Sequence, residues 1–315
     1  MVLKKILGGL VAVVVLAVIA LLVTLAVRKT NRHFAQVRET RRLATLPDCY
    51  TNSLGMILRR VPNTETCFSI WKTRVEDFAA YAKATHLDTT GWRIYFNSTN
   101  GWESIGDSWD NPGFPQTPAC PVCGVNWFDA VAFCDWLTRV EHDSRELDPR
   151  LCYRLPTDDE WSAAVTTLKF PWGSQWPPLD NTANLAGVEN SNDLQAFNNR
   201  LIKGYHDGYA RTSPVGIYTE NPRGLFDMAG DLYEWSADWY RKEMNTPERR
   251  QKHPVLNQDG GGHVFRALRG SAWSDRDPGR IASNTRFFSG PSFRQATVGF
   301  RVVLALETNS PVARN

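Results

Sequence analysis

The sequence predicts one α+β domain with little regular secondary structure, preceded by a single apolar helix, and three observations carry that reading. Strand-like segments stand at both ends of the body, GMILRRV at residues 55–61 and GFRVVLALE at 299–307. Between them lie three helix starts, each followed by apolar residues at helical spacing. After Trp161 the chain runs on, rich in Gly, Pro, Asn and Trp, so its backbone polar groups need partners other than helix or sheet ladders.

The apolar helix is expected at residues 6–27, 22 residues without a charge, about the ~20 that cross a bilayer. The run exceeds the apolar core of a cleaved signal peptide, and LAVRKTNRH has no small-x-small site, so the segment reads as an uncleaved anchor. Lys4 and Lys5 precede it, while Arg28, Lys29, Arg32, Arg38, Arg41 and Arg42 follow, a mixed positive-inside signal. Six cysteines suit an oxidising compartment, which places the body outside the cytoplasm on a single-pass membrane protein. The chain then divides into tail and anchor at 1–27, a basic stalk at 28–47, one domain at 48–308 and a short tail at 309–315. The net charge of +3 comes from the stalk, so nucleic-acid binding is not indicated.

Each helix start has its own signal. In SIWKTRVEDFAAYAKAT, Thr73 and Glu76 are spaced as a capping box, with Val75, Phe78, Tyr81 and Ala82 on one face. In NWFDAVAFCDWLTRV, Asn126 caps with Asp129, and Trp127, Val131, Cys134 and Leu137 form the stripe. In YRLPTDDEW, Thr157 and Glu160 make another box, and Asp158 and Asp159 favour the positive end of the helix dipole. Those acids therefore read as helix-start residues rather than catalytic carboxylates. ALRGSAW and GFRVVLALE are strand-like around a loop at 274–297.

Chemistry-bearing patterns are few. In DMAGDLYE, Asp227 and Glu234 flank a glycine that lets the chain turn back, so carboxylates and backbone carbonyls can wrap a Ca²⁺. The CPVC at Cys120 and Cys123 fits a redox pair, half a zinc site, a structural disulfide or buried thiols. A bridge between Cys49 and Cys67, which flank the first strand, is the expected pairing. The six histidines are scattered, with no HExxH, no GxSxG and no phosphate loop.

YRLPTDDEW, GLFDMAGDLYEWSADWY, RGSAW and VGFRVV, in this order, resemble the formylglycine-generating enzymes, also called sulfatase-modifying factors, of the wider C-type-lectin-like class. The resemblance implies that fold. It also implies one calcium site at Asp227 and Glu234 with the carbonyls of Gly230 and Leu232, and a second at Asn184, Leu185, Asp207 and Tyr209. Oxidative members hold copper with two cysteines whose places here carry Asp275 and Arg280, so copper is not expected. The expected role is a noncatalytic module binding a protein, peptide or glycan through the 274–294 loop. Trp273, Phe287, Phe288 and Phe293 would supply apolar contact, and Asp275, Arg280 and Arg294 polar grip. An enzyme of that family with an altered active site is the alternative, and sulfatase maturation itself a third reading. Arg269, Arg286 and Arg301 are expected to pair beneath the sheet.

Overall fold

The computed structural model describes residues 49–191, 201–241 and 265–307. The chain divides into Met1–Pro47 and Asp48–Asn315, and every described residue belongs to the second unit. The anchor and stalk lie outside the described residues. Among the described residues, no helix is long and apolar enough to cross a membrane.

Three sheets form the scaffold. The first is antiparallel throughout and runs β1 (Cys49–Thr51), β2 (Ile57–Arg60), β3 (Thr66–Ser69), β11 (Val303–Leu306), β6 (Leu151–Arg154), so the last strand is inserted beside the third and joins both ends of the domain. The second runs β10 (Val298–Gly299), β7 (Tyr233–Trp239), β8 (Arg266–Arg269), β9 (Phe287–Ser289), with only the β10–β7 pair parallel. The third is a hairpin of β4 (Ile94–Ser98) and β5 (Gly101–Gly106). Mixed α+β architecture with little helix is what the sequence predicted.

The helices start where local chemistry places them, with one correction. In α2 (Trp127–Asp143), Asn126 Oδ1 accepts from the Asp129 N–H at 2.9 Å and Asp129 Oδ2 from the Asn126 N–H at 2.8 Å. In α3 (Asp158–Val165), Thr157 and Glu160 exchange the same pair of bonds, at 3.2 and 2.8 Å. In α1 (Val75–Thr85) the cap is Arg74 with Asp77, one residue beyond the expected Thr73 and Glu76. The reason is tertiary: the Thr73 N–H donates to Phe300 and its carbonyl accepts from Val122, holding it in a strand-like link. The buried side of α2 is also broader than predicted, with Ala130, Phe133 and Trp136 inside while Val131 is only half-buried.

Buried charge ties the layers together. Asp158 receives Arg269 Nη1 at 2.5 Å and Arg286 Nη2 at 2.8 Å, a role beyond helix initiation, and Arg301 reaches Glu234 at 3.0 Å. The three arginines pair internally, as expected. The expected Cys49–Cys67 bridge fails, because none of the six cysteines is in a disulfide. Cys49 on β1 and Cys67 on β3 are separated by β2, so two ~4.8 Å strand spacings carry them beyond the ~7 Å that a disulfide spans. Cys120 and Cys123 are buried, and burial pushes the Cys123 thiol well above its ordinary range, with Asp231 adding to the effect.

Candidate functional site

A cavity of about 910 Å³ opens where the β4–β5 hairpin meets the β7–β9 sheet and the loop after β8. Phe96, Asn97 and Trp102 line it from the hairpin, Tyr233, Phe287 and Phe288 from the sheet, and Asp275 and Arg280 from the loop. At its centre Arg280, in the short helix α4 (Pro278–Ile281), donates from Nε to Asp275 Oδ1 and from Nη2 to Tyr233 Oη, both at 2.9 Å. Its guanidinium lies 4.4 Å above the Phe287 ring. Asp275 is set by the chain itself, since its Oδ2 accepts the Ala272 N–H at 2.9 Å. Burial pushes the Tyr233 phenol well above its usual range, and Asp275 pushes it further, so the hydroxyl stays neutral. Two of Arg280's five N–H donors are used in these bonds, and half of its side chain is exposed.

The seven predicted contact residues do not all face this space. Asp275, Arg280, Phe287 and Phe288 do, and Phe288 is 49% exposed. Trp273 is corrected: it is 0% exposed and stacked on Phe96 at 5.0 Å, so it belongs to the core behind the cavity and not to its lining. Phe293 stacks on Tyr95 at 5.1 Å and meets Trp102 edge-on at 4.9 Å, so it braces the wall. Arg294 is also corrected, because it turns away to Asp129 at 3.0 Å with its guanidinium over Trp92. Sequence reasoning missed Tyr233 and Trp102. Tyr233 opens β7 and is buried like its neighbours Leu232 and Glu234, while its partner loop lies about 45 positions downstream, so no local pattern shows that pairing.

The two expected calcium turns pack together, since Asp231 donates its N–H to the Asn184 carbonyl at 2.8 Å. Gly230 allows that approach: its φ is 80°, and a Cβ at this position would lie only 2.4 Å from Asn184 O. At the first turn the oxygens converge on an ammonium. Lys72, 1% exposed, donates to the Asp227 carbonyl and to the Gly230 carbonyl at 3.3 Å, and lies 3.4 Å from Glu234 Oε1. Trp161 Nε1 donates to Glu234 Oε2 at 2.9 Å. Although burial raises the Glu234 carboxyl, Arg301 and then Lys72 pull it below its ordinary value. This set does not fit an added dication. The carbonyl of Leu232, the fourth expected ligand, is not among Lys72's partners.

The second turn differs. Asp207 accepts the Leu185 N–H at 2.8 Å and the Tyr209 N–H at 2.9 Å, and burial still pushes its carboxyl up to about 7. Asn184 Nδ2 donates to Arg211 O at 2.7 Å, while its Oδ1 is buried without a hydrogen-bond partner among the described residues. A buried carboxylate beside an orphan amide oxygen fits a hard cation. No cluster of three or more His, Cys, Asp or Glu side chains suited to a metal occurs among the described residues.

The family model for the sulfatase-modifying factor enzyme 1-like domain matches residues 61–306. The chain belongs to that family. It is 31% identical over 196 residues to the serine/threonine-protein kinase pkn1 of Chlamydia caviae, a match covering 60% of this chain but only 24% of the kinase. It is 29% identical over 279 residues to the mouse inactive C-alpha-formylglycine-generating enzyme 2, covering 77% of this chain and 76% of that protein. Among solved structures, PvdO from Pseudomonas aeruginosa aligns with a TM-score of 0.56 at 23% identity, over 76% of this chain and 80% of that one, a likeness of fold. Of the family's sequence landmarks, GLFDMAGDLYEWSADWY lends Tyr233 to the cavity, whereas YRLPTDDEW, RGSAW and VGFRVV build the fold behind it.

Proposed function

We propose that this domain is a noncatalytic recognition module whose cavity receives a protein, peptide or glycan ligand. The observation that carries the reading is the Asp275–Arg280–Tyr233 cluster, which stands where the resemblance puts the two copper thiolates. An ion pair of oxygen and guanidinium offers no soft ligand for Cu(I), whereas a fixed guanidinium with spare donors beside aromatic walls is suited to holding a polar ligand. Trp102, 51% exposed, and Phe288 present their rings to the opening. The similarity to a mouse protein named as an inactive family member agrees with this reading.

Two accompanying features belong to the proposal. A structural Ca²⁺ would be held by Asn184, Leu185, Asp207 and Tyr209, supplying charge to the buried Asp207. Residues 6–27 would anchor the chain in a membrane with the domain outside the cytoplasm. The alternative is an enzyme of the formylglycine-generating type with an altered active site.

The deciding experiment incubates the purified chain, with and without copper, with a CxPxR peptide and follows the thiol by mass spectrometry. In parallel, wild type and Arg280→Gln are applied to peptide and glycan arrays. The expected result is no aldehyde, and array binding that Arg280→Gln abolishes. Copper-dependent conversion would replace this reading with the enzymatic one.

A further inference from the structure

The oxygen cage of the 227–234 turn already contains a cation, and that cation is part of the chain. We propose that Lys72 is the built-in substitute for a divalent ion there, so that this turn is independent of calcium and becomes a calcium site only when the ammonium is removed.

The match of donors to acceptors supports the assignment. An ammonium carries three N–H donors and no acceptor. Lys72 Nζ has three oxygen neighbours: the Asp227 carbonyl, the Gly230 carbonyl and Glu234 Oε1. These belong to the same residues that would wrap a hard cation. A dication sharing these oxygens at 2.3–2.6 Å would stand within a few ångströms of a buried positive charge, so both cannot occupy the turn. Glu234 is further committed, with Arg301 Nη2 on Oε1 at 3.0 Å and Trp161 Nε1 on Oε2 at 2.9 Å.

The backbone around Lys72 is fixed before the ammonium is placed. The Ile70 N–H donates to Ile57 O at 2.8 Å, and the Thr73 N–H to Phe300 O at 2.9 Å. Lys72, three residues past the end of β3, therefore starts from a rigid position and enters the turn as a tethered ligand, whose occupancy cannot fall with ion concentration. The neighbouring Asn184 turn has no such insert, and its Oδ1 stays unpartnered among the described residues. The Asp227 side chain gives the same picture from the other side: Oδ2 accepts the Gly216 N–H at 2.8 Å, while Oδ1 has no partner among the described residues and is left over for an ion once the lysine is gone.

The test uses the solubilised full chain carrying Asp207→Asn, which silences the second turn whether or not that turn binds calcium. Terbium is the probe, with luminescence sensitised through Trp161. With Lys72 intact, no sensitised signal is expected. Lys72→Ala should melt early in chelator, recover with Ca²⁺ and gain one terbium per chain. Lys72→Met, which fills the space with an apolar arm, should melt early and recover with neither ion. The proposal is overturned if the Lys72-containing protein binds terbium in a way that Asp227→Asn removes. It is equally overturned if Lys72→Ala stays folded without gaining an ion or is not rescued by Ca²⁺, or if Lys72→Met responds to the ion.

Discussion

Arg280 Nε lies 2.9 Å from Asp275 Oδ1, yet the two side chains differ in exposure, 50% against 7%. The carboxylate is part of the fold and the guanidinium is at the surface of the cavity. Their substitutions should therefore separate. Asp275→Ala leaves the Ala272 N–H without its acceptor and should cost about 1–3 kcal/mol in denaturant titrations. Arg280→Gln loses a half-exposed pair worth about 1 kcal/mol or less, so it should keep its melting curve while losing ligand. Equal destabilisation by both would remove the distinction.

The aromatic wall makes a similar contrast. Phe288 is half exposed against Tyr240 at 4.5 Å and Phe265 at 4.9 Å, so Phe288→Ser should lower stability by no more than about 1 kcal/mol and abolish binding. Phe287, held between Arg280 and Tyr233, should cost more. Trp235→Ala empties a fully buried position and frees the Val125 carbonyl, with an expected loss of about 3–5 kcal/mol. A Phe288→Ser protein that melts like Trp235→Ala would place the ring in the core and move the search for the binding site elsewhere.

What the sequence made legible follows the range of the interaction. The Asn126–Asp129 and Thr157–Glu160 caps span three residues and could be read directly. Arg74 displaced Thr73 as a cap because the partner that decided it, Phe300, lies more than 200 residues away. The 274–294 loop lends Asp275, Arg280, Phe287 and Phe288 to the cavity, but Trp273 lies in the core because Phe96 from the hairpin stacks across it. Lys72 went unread, although a lone charge in the apolar run FSIWK is a signal for a buried partner, and Glu234, 162 residues on, could not be named from it.

Chelation offers a separate check on the second turn. If Asn184 and Asp207 hold Ca²⁺, EDTA should lower the melting temperature, and Asp207→Asn should remove that response. Saturation at 100 times the dissociation constant adds ~2.7 kcal/mol, large enough to measure. Identical curves with and without chelator would reduce the turn to hydrogen-bonded backbone alone.

Asp238 provides a pH test away from either turn. Burial pushes its carboxyl up to about 6, against the lowering effect of the Asp158 N–H it accepts, and the negative charges of Asp158 and Asp159 add to the rise. A raised carboxyl pKa means that the folded state binds the proton more tightly than the unfolded chain. Its contribution to stability is complete below the unfolded value of ~3.9 and is lost as pH rises through about 6. Between pH 5 and pH 7 the loss is about 1 kcal/mol. Asp238→Asn keeps an oxygen to accept the Asp158 N–H but carries no proton to release, so it should be more stable than wild type at pH 7 and should lack this part of the pH slope. Denaturant titrations of both proteins at the two pH values measure the difference directly. A mutant slope equal to that of wild type would mean that Asp238 is ionised in the folded protein throughout this range, its charge compensated by its surroundings.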